Sequence, residues 1–305
     1  MKNTNRPIRR FLLVYVRFFG HVIGQKAYYA QSSTSWLNRS FYNLVVLTMH
    51  PMLNIAVRAA RSAGNVIARG FENFDDLQIE QKGENDFVTK IDREAEQTII
   101  YKIQQSYPDH TFVGEEGGIV AGNDDYKWII DPLDGTTNFI KGIPHFAVSI
   151  ALQYKGRLDQ AVVFDPIRGE LFTASRGNGA QLNGHRIRAS QAKELGSTIL
   201  ATAFPFKKKD SLKEYMTSFN QIFSECGDIR RGGSAALDMA YVAAGRFDGY
   251  WERGIKPWDI AAGELLVRES GGLVTDFAGG NDPLLSGEIV AGSPRVVQAL
   301  VKRLK

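Results

Sequence analysis

Three observations on the amino-acid sequence predict a layered α+β fold. Helical periodicities come in pairs, strand-like stretches come in two runs, and the strict βαβαβ alternation of a doubly wound nucleotide-binding fold is absent. The first helix is expected over about Leu53 to Arg69, with Ile55, Ala59, Ala63, Val66 and Ile67 on its apolar side. A second is expected to follow Asp92, with Ala95, Ile99, Ile100 and Ile103 on one face, and to stop at Tyr107-Pro108. Two short apolar strands come next, Thr111–Gly114 and Lys127–Ile130, the second ending at Asp131-Pro132. The period then switches to two. His145–Ile187 reads as an antiparallel meander with turns at Lys155-Gly156, Asp165-Pro166, Arg176-Gly177-Asn178-Gly179 and Asn183-Gly184, the last a strong hairpin signal. Ser234 is a good N-cap for a helix carrying Leu237, Ala240, Tyr241 and Ala244 at helical spacing. A final paired helix starts near Asp259 and ends at Gly271-Gly272.

Composition narrows the class. With 305 residues, 44% hydrophobic and 23% charged, the chain can bury a sizeable core, which excludes global disorder, a collagen-like fibre and a polytopic membrane protein. The lone Cys226 excludes a disulfide scaffold and Cys-rich zinc modules, and fits a reducing, cytoplasmic setting.

The net charge of +4 conceals an asymmetry. Residues 1–48 hold seven bases (Lys2, Arg6, Arg9, Arg10, Arg17, Lys26, Arg39) and no acid, leaving 30 bases and 33 acids in residues 49–305. Basicity is therefore no argument for nucleic-acid binding by residues 49–305. The leader is Arg-rich with a Ser/Thr patch at Ser32-Ser33-Thr34-Ser35, like an organelle transit peptide, and its apolar run from Phe11 to Ile23 is too short and too charged to span a bilayer. Met49-His50-Pro51-Met52 opens an ordinary domain pattern. The expected organisation is thus a basic extension at 1–48, either unstructured or upstream of a true start at Met49, followed by one catalytic domain at 49–305. A targeting segment and an amphipathic arm are the other readings of the extension.

The chemistry concentrates in Trp128-Ile-Ile-Asp131-Pro-Leu-Asp134-Gly-Thr136-Thr-Asn138-Phe. Pro132 fixes its own φ and lacks a donor, forcing a turn that brings Asp134 round to the side of Asp131. Two carboxylates on a rigid turn suit hard cations such as Mg²⁺. Gly135 and Thr136 follow, with backbone N–H groups able to open a helix and hold an anion. Asp, Pro and Gly are also ordinary turn residues. Glu115 and Glu116 stand at the end of a short strand, flanked by Gly114 and Gly117. Glu252 and Asp259 lie in an aromatic-framed stretch, Asp259 at a helix start, where an acid is also a normal cap. Metal-seeking carboxylates beside an anion-seeking backbone are what a phosphate ester needs.

Other chemistries lack their signatures. No Walker A, dinucleotide-binding glycine motif, HExxH or GxSxG element occurs. His21, His50, His110, His145 and His185 are isolated and read as surface or core residues, Cys226 as a small buried hydrophobe, and Lys207-Lys208-Lys209 with Lys213 as a solvated loop and helix start.

At Gly114-Glu115-Glu116, Asp131–Phe139 and Trp258-Asp259-Ile-Ala-Ala-Gly, and earlier at Asp86-Phe-Val-Thr89-Lys-Ile-Asp92, the chain resembles the inositol monophosphatase family of Mg²⁺-dependent, Li⁺-inhibited phosphatases. The similarity runs from about Met49 to Lys305. The opening Met49-His-Pro-Met-Leu-Asn is similar to bacterial members that also serve in transcription antitermination. The resemblance implies an αβαβα layered sandwich, a homodimer, two or three Mg²⁺ per site and an inositol phosphate substrate. It implies that Glu115, Asp131, the Leu133 carbonyl, Asp134 and Thr136 hold metal, with Asp259 on a second ion. Gly135 and Thr136 amides would hold phosphate, Glu252 the inositol hydroxyls, with Ala235 near the ring. Asp92 and Thr136 would activate water. Possible partners are RNA polymerase and antitermination factors; direct nucleic-acid binding would be weak or absent, and no membrane is involved.

The charge balance agrees with the cations that the resemblance implies. Four carboxylates and a phosphate monoester of about −1.5 to −2 repel one another unless divalent cations intervene.

Overall fold

The computed structural model describes residues 49–73, 79–83, 86–205 and 209–304, so the basic leader 1–48 and Lys207-Lys208 lie outside the described residues. Helix α1 (Pro51–Glu72) opens with His50, whose Nδ1 accepts from the Met52 amide at 3.3 Å, and with Pro51 in the first turn. Its buried face is Leu53, Ala56, Ala60, Ala63 and Ile67, with the expected Ile55 and Val66 on the flanks. A short hairpin, β1 (Ile79–Gly83) and β2 (Asp86–Thr89), leads into α2 (Lys90–Gln104). This helix starts earlier than the sequence suggested. Thr89 caps it and Asp92 is its third residue, with the Thr89 amide and hydroxyl donating to the Asp92 carboxylate at 2.9 and 2.5 Å.

An eight-stranded sheet follows, built from β3 (His110–Gly114), β4 (Gly118–Val120), β5 (Asn123–Asp134), β6 (Ala147–Tyr154), β7 (Arg157–Asp165), β8 (Glu170–Ser175), β9 (Gly179–Leu182) and β10 (His185–Arg186). The meander of the second half is as expected. Lys155 and Asn183 turn it at φ 50° and 48°, each followed by a left-handed glycine. A second sheet of five strands has the order β12-β11-β13-β15-β14, from β11 (Ile199–Thr202), β12 (Asp228–Arg230), β13 (Gly249–Arg253), β14 (Leu273–Thr275) and β15 (Glu288–Gly292). The helices α3 (Thr136–Ile140), α4 (Leu212–Phe223), α5 (Ala235–Ala243), α6 (Pro257–Glu269), α7 (Pro283–Ser286) and α8 (Pro294–Leu304), with a 3-10 turn at Lys209–Ser211 leading into α4, complete the described elements.

Strand alternation sorts the apolar residues into three cores and thereby stacks five layers. On β7, Val162 and Phe164 pack against α1 and α2, while Ala161 and Val163 face α5 and α6. On β15, Ile289 and Ala291 face the same helix pair from the other side, and Val290 faces α8 and Ile222 of α4. The order is α1/α2, sheet, α5/α6, sheet, α4/α8, the αβαβα sandwich. Each wholly buried side chain such as Phe112, Phe172 or Ile130 contributes about 1.5–3 kcal/mol. Cys226 is half-buried at the rim of the outermost core rather than inside it. Among the described residues no helix is long and apolar enough to cross a membrane.

Candidate active site

The acidic motif does not end a strand. β5 continues through Asp131, Pro132 and Leu133 to Asp134, with a bulge: Asp131 pairs with Ser149 and Asp134 with Ala147, so three steps on one strand meet two on the other. In a regular strand these two side chains would face opposite ways; the extra residue puts both on one side. Pro132 sits where its missing donor costs nothing, and the Leu133 amide donates to Asp131 Oδ1 at 3.0 Å.

Asp259 joins them from the start of α6. Carboxylate oxygens of Asp131, Asp134 and Asp259 all lie within 4.8 Å of one another. Glu115 follows the end of β3, its amide donating to the Ile130 carbonyl of β5 at 3.2 Å. Its charge acts on both Asp131 and Asp259. Three helix N-termini converge on these acids. Asp92 is the third residue of α2 and Asp259 the third of α6, where the Lys256 amide donates to it at 2.9 Å. Asp134 Oδ2 accepts from Ser234 Oγ at 2.6 Å and from the Ala236 amide at 2.7 Å, at the head of α5. Their partial positive ends offset part of the negative charge.

The offset is incomplete. Burial first, then Glu115, Asp134 and Asp259, pushes the Asp131 carboxyl well above the ordinary carboxylate range. Burial, then Asp134 and Glu115, does the same to Asp259. Clustered carboxylates whose ionisation is held back are a donor set that a hard divalent cation fits. A sign follows for stability. These raised groups favour the fold at low pH, and that contribution is lost as pH rises through their raised pKa values. Metal-free protein is therefore expected to lose stability as pH rises above the ordinary carboxylate range, and a divalent cation to restore more at the higher pH; calorimetry with and without EDTA checks this.

Thr136 opens α3 beside the cluster. Its hydroxyl lies 2.9 Å from Asp92 Oδ1 and 3.1 Å from the Leu133 carbonyl. One proton serves two acceptors, so the Thr136 oxygen is left to accept from a water. Burial raises the Asp92 carboxyl, against the Thr89 and Thr136 hydrogen bonds that lower it. Gly135 turns the chain at φ +100°, where a Cβ would also sit 3.0 Å from the His145 carbonyl. Only glycine suits that position. Glu252 lies on β13, its carboxylate accepting from the Tyr250 hydroxyl, and it adds to the charge felt by Asp259. Ala235 starts α5, half-buried. The structure thus brings Asp131, Asp134 and Asp259 together, sets the charges of Glu115 and Glu252 on Asp259, and joins Thr136 to Asp92.

Two supporting residues act from outside these acids. Glu96, buried on α2, accepts the Glu116 and Gly117 amides at 3.0 and 2.6 Å and so fixes the Glu115 turn. An acid one helical turn after Asp92, on an apolar face, was its signal. Asn138 Nδ2 donates to the carbonyls of His145 at 2.7 Å and Gly232 at 3.0 Å, tying α3 to the approach to α5.

Fold and site together define a layered α+β protein with an acidic, cation-seeking centre, a class that includes phosphatases. The chain belongs to the inositol monophosphatase family, whose model matches residues 48–304. It is similar to Nus factor SuhB of Escherichia coli K12, 61% identical over 258 residues, covering 84% of this chain and 97% of that protein. Nus factor SuhB of Pseudomonas aeruginosa is 53% identical over 262 residues, covering 84% and 97%. Among solved structures, extragenic suppressor protein SuhB of Bartonella henselae superposes with TM-score 0.82 at 43% identity, covering 84% of this chain and 99% of that one. An inositol monophosphatase from Anabaena gives 0.75 at 36%, covering 86% and 96%.

Proposed function

We propose that this phosphatase-family protein hydrolyses myo-inositol 1-phosphate to inositol and phosphate in the presence of Mg²⁺, the catalytic domain being residues 49–305. The observation that carries the reading is the convergence of Asp131, Asp134 and Asp259 within 4.8 Å beside the Gly135-Thr136 turn. Glu115, Asp131, the Leu133 carbonyl and Asp134 would hold Mg²⁺, with Asp259 on a further ion. Bound there, the cations neutralise phosphate charge and acidify water. The chain's own groups do the rest. Thr136, backed by Asp92, takes hydrogen bonds from the attacking water and orients it towards phosphorus. The amides of Gly135 and Thr136 face the phosphate oxygens. Glu252 accepts from ring hydroxyls near Ala235, and its charge disfavours a substrate with a second phosphate. No side chain is required as nucleophile, so no phospho-enzyme forms.

A substrate panel with and without Mg²⁺ and Li⁺ tests this. Inositol phosphate is expected to lead the panel, with Li⁺ inhibiting; preference for fructose 1,6-bisphosphate or a 3′-phosphonucleotide would replace the substrate assignment.

A second role is supported by relatives named Nus factor at 53–61% identity. We propose that the chain also joins a cytoplasmic transcription antitermination complex through protein contacts with RNA polymerase or its factors, since residues 49–305 carry more acid than base and so bind RNA weakly. Retention of those partners by an Asp134→Asn protein in a pull-down is the expected result; their loss would tie the role to catalysis.

We propose a homodimer as well. Leu212, Met216 and Phe223 expose 44%, 37% and 55% of their surfaces along α4, continuous with a ring ladder from Phe204 through Tyr215 and Phe219. Such an apolar stripe is costly in water and suits a second copy. Met216→Glu with Phe223→Glu is expected to shift the protein from dimer to monomer mass in sedimentation equilibrium.

A further inference from the structure

His145 and Asp238 face each other at the back of the site with no role in the mechanism above. Asp238 is 2% exposed and His145 15%, and His145 Nε2 lies 4.0 Å from Asp238 Oδ1. Both atoms are buried and make no hydrogen bond among the described residues. Leaving two such groups unpaired is expensive, at about 1–3 kcal/mol each. Closing less than an ångström or so of distance would pair them.

The geometry around the gap shows what that pairing would hold. Asp238 lies one turn along α5 from Ser234, and Ser234 with Ala236 grips Asp134 Oδ2. His145 is anchored by its own carbonyl to Asn138, which also grips the Gly232 carbonyl. His145, Asn138, Gly232 and the first turns of α5 thus form a ring open at one place. Gly232 keeps that place accessible: a Cβ there would sit 2.6 Å from His145 Nε2 and 2.7 Å from Asp238 Oδ1.

We infer that His145 and Asp238 are a positioning pair for Asp134, closing the ring by sharing one proton and so fixing the head of α5. The inference rests on the phosphatase reading, in which Asp134 holds a cation. The electrostatic surroundings are consistent with a shared proton. Burial pushes the Asp238 carboxyl up, helped by Asp134 and Glu252 and opposed by Arg231. Burial pushes the His145 imidazole down, with Arg168 lowering it further and Asp165 opposing. Neither group ionises readily alone; one proton between them suits both.

The test combines kinetics, cation binding and spectroscopy on the full chain. Asp238→Asn, nearly isosteric, and His145→Gln are each expected to lower kcat roughly 10- to 100-fold, the range for groups that orient a metal ligand, with KM little changed. The Mg²⁺ concentration giving half the thermal shift should rise by a similar factor. The double variant should be no worse than either single one, because both break the same link. Gly232→Ala should reproduce the loss. In ¹⁵N spectra of the imidazoles, the His145 titration should move in Asp238→Asn. Wild-type kinetics and Mg²⁺ dependence in Asp238→Asn, or an unmoved His145 titration, would overturn the pair while leaving the phosphatase reading intact. A wild-type protein that hydrolyses no phosphomonoester would overturn the reading itself.

Discussion

Asp134→Asn is expected to lower kcat by on the order of 10²-fold or more, close to 3 kcal/mol of transition-state stabilisation. The substitution keeps the shape and removes a charge that the site has arranged itself around. Asp134 Oδ2 takes a hydroxyl at 2.6 Å and an amide at 2.7 Å from the head of α5, so the carboxylate is held in one orientation before any cation arrives. An amide side chain would present an NH₂ to one side, either against those donors or towards the cation. Steady-state kinetics over a Mg²⁺ titration checks it. Turnover near the wild-type value at saturating Mg²⁺ would remove Asp134 from the cation set.

The second large effect belongs to the water-orienting pair. Asp92→Asn and Thr136→Ala are each expected to lower kcat by roughly 10²- to 10⁴-fold, the usual contribution of positioned proton transfer. The double variant should fall little further, because the 2.9 Å contact between the two side chains makes them one unit. A pH profile separates this from a folding defect. Burial holds the Asp92 carboxyl above its ordinary range, so the acid limb of kcat should lie above that range in the wild type and vanish in Asp92→Asn. Additive losses, or an acid limb that survives, would place the proton acceptor elsewhere.

The motifs that define the site were legible because they are local. Asp131 to Thr136 is one short stretch, and its turn chemistry is dictated by Pro132 and Gly135. The layered class was legible for the same reason, since the paired helices and the meander from β6 to β10 announce themselves by period. What sequence alone left out depends on long-range pairing. The bulge in β5 is set by its register with β6, where Asp134 meets Ala147, and no residue within β5 specifies that partner. The short strands of the second sheet are three to five residues long, too brief for period two to register. Ser234 is the cap its position suggests, with the Leu237 amide 3.4 Å from its oxygen. Its second task on Asp134 comes from a residue 100 positions earlier. Asp92, expected just ahead of its helix, lies inside it because Thr89 supplies the cap. Glu96, His145 and Asp238 leave no distinctive mark in the sequence because isolated polar residues on apolar faces look alike until the fold sets them against a partner.

The acids of the site are also far apart in the order of synthesis. Asp131 and Asp134 leave the ribosome with the first sheet, whereas Glu252 and Asp259 follow more than a hundred residues later, with β14 and β15 of the second sheet still to be made. A chain cut short before α6 keeps Glu115, Asp131, Asp134 and the Gly135-Thr136 turn but lacks Asp259, the third member of the acidic cluster. If the proposed function holds, activity is expected only once the chain has been made through Asp259 and α6 has packed.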